Sequence, residues 1–170
     1  MGFEQILFWL LAIGAIVTSA LVVLPPSGKN PLYGALFLIV SFFFMAGVYI
    51  LLFAHTMAIL QILVYAGAIM VLFTFVIMLL NLTKKELGDE TRTVAKGLGI
   101  VAVGVLGVKT ILMVDAQSIN IPAQPIPAGF GGVDAIAEVM FKNYLIPFEL
   151  TGLLLFVAVI GAVVLAKRTL

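Results

Sequence analysis

The chain has 170 residues, 64% of them hydrophobic and 10% charged, with a mean hydropathy of +1.28 and a formal net charge of +1. Soluble domains carry about 25% charged residues, so this surface suits lipid or other membrane subunits, and no basic stripe offers a footprint for nucleic acid. Cysteine is absent and histidine occurs once, which excludes disulfides, thiolate-held iron–sulfur clusters, thiol nucleophiles and multi-histidine metal sites within the chain.

The opening Met1-Gly2-Phe3-Glu4-Gln5 has no basic n-region, and no small-residue cleavage pattern precedes Pro25. A cleaved signal is therefore not expected, and the first apolar stretch should stay as a span. Five spans are predicted, over 3–24, 32–53, 56–80, 94–114 and 145–166. At about 1.5 Å per residue each reaches or approaches the ~30 Å needed to cross a hydrocarbon core. The predicted fold is thus an all-α integral membrane protein forming a single membrane domain over 1–170.

Between spans one and two, Pro25-Pro26-Ser27-Gly28-Lys29-Asn30-Pro31 breaks the helix, because proline lacks an amide donor and glycine ends a helical run. Only Ala54 and His55 separate spans two and three, so a close antiparallel hairpin is expected. Residues 83–92 form a charged aqueous loop, and 115–132 is Pro- and Gly-rich and reads as extended. Next, 134–141 predicts a short amphipathic surface helix, with Ile136, Val139 and Met140 on one face and acids near its N-terminus.

With five spans, Lys29, Lys84, Lys85, Arg92, Lys96, Lys167 and Arg168 fall on one side and Lys142 on the other. The positive-inside rule then puts the N-terminus outside and the C-terminus inside.

Span three is unusual at its centre, where Gln61 and Val64-Tyr65-Ala66-Gly67-Ala68 interrupt bulky aliphatic residues. Polar groups inside a membrane face protein or water. One explanation is packing, since Gly and Ala let helices approach closely. The other is a hinge: a π-bulge at Tyr65, Ala66, Gly67 and Ala68 would, on forming or relaxing, turn everything beyond it by about 100°. Lys109 lies near the outer end of span four and reads as a snorkelling side chain. On the same helix, Gly97, Gly104 and Gly107 make a smooth seam. Glu149, just after Pro147, is either an interfacial carboxylate at a helix N-terminus or a protonatable group at the mouth of an ion path. His55 reads as a solvated loop residue, with a proton-relay role as the alternative.

Three stretches occur together in one known family: Asn30-Pro31-Leu32-Tyr33-Gly34-Ala35-Leu36, then Gln61-Ile62-Leu63-Val64-Tyr65-Ala66-Gly67-Ala68-Ile69-Met70-Val71-Leu72-Phe73, and Tyr144-Leu145-Ile146-Pro147-Phe148-Glu149-Leu150. In their order and context the chain resembles the J subunits of bacterial NADH:quinone oxidoreductase, the counterparts of mitochondrial complex I chain 6. The resemblance spans all five predicted helices and is most specific at the Tyr-Ala-Gly-Ala segment. It implies a cofactor-free membrane-arm subunit in the bacterial inner membrane. FMN, iron–sulfur clusters and quinone would sit in partner subunits. The neighbours would be the quinone-site subunit, a K-like subunit and antiporter-like subunits. It also implies a π-bulge at Tyr65 and Gly67 whose conversion gates a water path that couples quinone reduction to proton translocation. Gln61 and Glu149 are the candidate polar residues of such a path.

Two departures from that family bear on mechanism. His55 stands where many relatives place a glutamate, and Asn81 where some carry an acid. Their absence favours gating over carriage of the pumped proton by this chain. Two other readings stay open: a small membrane subunit of a multi-chain cation/proton antiporter or membrane-bound hydrogenase, and a purely structural assembly subunit.

Overall fold

The computed structural model describes residues 2–24, 26, 31–80, 93–116, 125–127 and 129–167, without the side chains of 93–97, 100 and 114–116. The charged loop 83–92, Asn81, Lys29, Arg168, most of the breaker at 25–31 and much of 115–132 lie outside the described residues. Every described element is helical: α1 (Phe3–Val23), α2 (Pro31–Leu51), α3 (His55–Leu80), α4 (Thr93–Ala116), α5 (Val133–Asn143) and α6 (Leu145–Ala166).

By length and composition α1, α2, α3 and α6 can each cross a membrane. The expected fourth span is helical over Thr93–Ala116, but its described apolar stretch is the shorter Val101–Met113. Lys109 lies within that stretch and is exposed, while Gly104 and Gly107 face open space.

α1 and α2 pack antiparallel along their lengths. Ring and aliphatic knobs fill glycine notches: a methyl group built on Gly14 would stand 2.5 Å from the Phe44 ring, and one on Gly47 would stand 2.9 Å from Leu11. Ser19 and Ser41 share a 2.9 Å hydrogen bond across the pair, and the Thr18 hydroxyl donates back to the Gly14 carbonyl at 2.7 Å. The buried residues are mostly small: Ala35, Ala46, Ala58, Ala66, Thr18 and Ser41, with Met70 the largest among those described. This composition follows from the solvent. Lipid is as apolar as leucine, so helices gain by close backbone approach and interhelical hydrogen bonds, and bulky apolar side chains point outward.

α2 ends in a Schellman turn. Ala54 N–H donates to the Tyr49 carbonyl at 2.9 Å and Phe53 N–H to the Ile50 carbonyl at 3.0 Å. Phe53 occupies the left-handed region at φ 59°, a place usually taken by glycine. The chain reverses there and α3 returns along α2, giving the antiparallel hairpin expected from the short connection.

The short surface helix is present as α5, with Asp134 in its first turn and Lys142 in its last, each favoured by the macrodipole. Lys142 and Glu138 pair one turn apart at 2.5 Å. The Phe141 and Phe148 rings meet edge-on at 5.1 Å and join α5 to α6.

Candidate functional site

The site is the interior of α3. The helix begins as regular α over His55–Leu60, becomes π over Gln61–Ile69, and returns to α over Met70–Leu80. A π turn bonds each amide to the carbonyl five residues back rather than four, and at its far end Met70 N–H donates to the Tyr65 carbonyl. Tyr65, Ala66, Gly67, Ala68 and Gln61 all lie within this segment. It extends beyond the single bulge the sequence suggests at 65–68. Each extra residue in a turn sets the following helix back by about 100° relative to an uninterrupted α-helix.

The packing around the segment is asymmetric. Ala58, Ala66 and Met70 are buried, whereas Tyr65 is about half exposed, at 49%. The Tyr65 ring also meets Phe42 of α2 edge-on at 5.9 Å. At Gly67 a Cβ would lie 3.2 Å from the Ile62 carbonyl oxygen, the residue five positions back. That contact is tight, and the π geometry creates it by drawing Ile62 into the same turn. Thr74 donates to the Met70 carbonyl at 2.8 Å, so the polar group just beyond the segment is satisfied within its own helix. The remaining candidate, Glu149, is exposed on α6, on a different element from Gln61 and Tyr65.

The start of α3 is a tied point that no sequence motif marks. The Gly131 carbonyl accepts two hydrogen bonds from Thr56, one from its amide at 3.0 Å and one from its hydroxyl at 2.9 Å. The only signal was the glycine-rich run Gly129-Phe130-Gly131-Gly132, which marks a turn but names no partner.

The family model for NADH-ubiquinone/plastoquinone oxidoreductase chain 6 matches residues 18–165. The chain belongs to this family. Chain 6 relatives include NADH-quinone oxidoreductase subunit J of Rhodobacter capsulatus, 38% identical over 95% of this chain and 80% of the relative. NAD(P)H-quinone oxidoreductase subunit 6 of the Paulinella chromatophora organellar chromatophore is 37% identical over 98% of this chain and 80% of its own length. The chain 6 protein of Nostoc is 34% identical over 98% of this chain and 81% of its own length. The matched region contains the whole π segment, Thr56, Gly131 and Glu149. Among the described residues, no three His, Asp or Glu side chains gather as a metal site.

Proposed function

We propose that the chain is a membrane-arm subunit of a proton-pumping NADH:quinone oxidoreductase, and that α3 couples quinone reduction to proton translocation. The π segment Gln61–Ile69, set between two regular α segments of one apolar helix, is the observation that carries this reading. A π turn trades four-residue for five-residue bonding without unfolding the helix. Converting it to α turns one end of α3 against the other by about 100°. Side chains on the turning half then exchange partners. Carbonyls released in the exchange, with the Tyr65 hydroxyl and Gln61, order or break a chain of water.

The chain itself gates rather than carries the proton, with Glu149 at the mouth of the path. It crosses the bacterial inner membrane five times, N-terminus outside and C-terminus inside. With no cysteine and one histidine it offers no ligand set for iron–sulfur clusters; in this reading the clusters, FMN and the quinone are all held by partner subunits. Those partners are a quinone-site subunit, a K-like subunit and antiporter-like subunits.

The test is Gly67→Val. A β-branched side chain crowds the Ile62 carbonyl in the π form and biases α3 toward regular helix. A bias of about 1 kcal/mol corresponds to roughly fivefold in population. Quinone reduction and proton pumping are measured together in membranes where assembly of the complex is verified. The expected result is pumping reduced severalfold per electron with assembly intact. Normal pumping in the assembled variant would reduce the segment to helix packing and the chain to a structural subunit.

A further inference from the structure

We infer that the Thr56–Gly131 contact is a latch that holds the N-terminal end of α3 still, so that any change in the π segment is delivered to the Met70–Leu80 half. This rests on the switching role proposed above and adds a direction to it.

The latch begins with an unmet need. The first amides of a helix have no partner within it, and the N-cap of α3, Ala54, supplies no side-chain hydrogen bond. The partner comes instead from far along the chain, as the Gly131 carbonyl, which takes both the amide and the hydroxyl of Thr56. The approach requires glycine at 131. Its φ is +71°, and a Cβ there would collide with the Phe53 carbonyl oxygen and stand 2.9 Å from the Ala54 Cα. The loop lies directly on the backbone of the α2–α3 corner.

The accepting carbonyl is itself held. Phe130 N–H donates to the Pro127 carbonyl at 3.1 Å and Gly132 N–H to the Gly129 carbonyl at 3.0 Å. Gly132 is the N-cap of α5, and α5 is joined to α6 through Phe141 and Phe148. The start of α3 is therefore tied to α2 through the Schellman corner and to the α5–α6 unit through Gly131.

The other half of α3 packs on α2 without such a tie. Beyond Met70 its described side chains are exposed or half-buried, and Thr74 bonds within its own helix and would turn with it. Among the described residues, the two Thr56 bonds tie the start of α3 to the turn that precedes α5. When one end of a rod is fixed and its middle changes register, the free end moves.

The test uses the assembled complex with spin-labelled residues at exposed positions, Ile13 paired with Ile59 or Ile13 paired with Met78. Distances are measured at rest and in samples frozen during turnover. A helix is about 10–12 Å across, so a turn of about 100° displaces a group on its surface by up to about 8 Å. The 13–78 distance is expected to shift on that scale while the 13–59 distance keeps its resting distribution. In Thr56→Val, which removes the hydroxyl but keeps shape and amide, and in Gly131→Ala, which blocks the approach, part of the shift should pass to the 13–59 pair. Equal shifts at both pairs in the unaltered chain overturn the latch and leave the switch standing. A division of the shift that stays unchanged in both Thr56→Val and Gly131→Ala also overturns it. No shift at either pair overturns the switch itself, and the latch with it.

Discussion

Gly14 and Phe44 interlock: the ring of one helix fills the space where the other helix has no side chain, and a Cβ at 14 would overlap the ring at 2.5 to 2.8 Å. Three positions along, Leu11 fits against Gly47 in the same way but with the flexible end of its side chain, 2.9 Å from a Cβ at 47. The two notches are alike in sequence and different in tolerance.

Gly14→Ala should therefore destabilise the α1–α2 pair by about 1–3 kcal/mol, the usual range for overpacking. Gly47→Ala should cost less, because Leu11 can change rotamer. Thermal stability of the purified complex, with the level of this subunit in membranes, gives the ranking. Phe44→Leu should relieve Gly14→Ala, since it removes the rigid ring that the new methyl meets.

The Ser19–Ser41 hydrogen bond joins α1 to α2 away from these notches. Hydrogen bonds between helices in a membrane average about 0.6 kcal/mol in double-mutant cycles. Ser19→Ala and Ser41→Ala should each weaken the pair by about that amount. The double variant should be no worse than the more severe single one. A cycle of denaturation midpoints that came out strictly additive would mean the hydroxyls act separately.

Phe53 sits in the left-handed region at the α2–α3 corner, where a residue with a Cβ costs about 1–2 kcal/mol over glycine. Its ring returns part of that through an edge contact with His55 at 6.3 Å. Phe53→Gly should leave stability unchanged or slightly raised. Phe53→Val, β-branched in the same conformation, should lower it by about 1 kcal/mol or more. The order Gly, Phe, Val in melting temperature is the expected outcome.

The Lys142–Glu138 pair on α5 has the favourable orientation, acid before base one turn apart, but both side chains are mostly exposed at 70% and 62%. Such pairs contribute about 0.3–0.5 kcal/mol. Glu138→Gln should leave assembly and pumping unchanged in parallel assays, and a large loss would show that Glu138 has a partner outside this chain.

Helix positions were legible in the sequence because long apolar runs ended by proline or charge leave little choice. Predicted limits of 3–24, 32–53, 56–80 and 145–166 fall within two residues of α1, α2, α3 and α6. The fourth was harder: Lys96 and Lys109 thin its hydrophobicity, and its described apolar stretch is shorter than the predicted span. Tyr65 to Ala68 stood out because a tyrosine and a glycine interrupt an aliphatic run. The extent of the π segment did not, since four- and five-residue bonding use the same backbone groups and packing decides between them. Thr56 and Gly131 are 75 residues apart. Neither carries a pattern that names the other, so only the folded chain brings them together.

α6 has no buried residue along its whole length, and α4 has none among its described side chains. Such a chain cannot be judged as a free-standing fold. The faces of α4 and α6 are left for lipid and neighbouring subunits to cover, so incorporation into the complex should add to the stability of the folded chain. A copy made in excess of its partners would keep two unpaired hydrophobic faces open to the membrane. Its abundance should then follow that of its neighbours rather than the rate of its own synthesis.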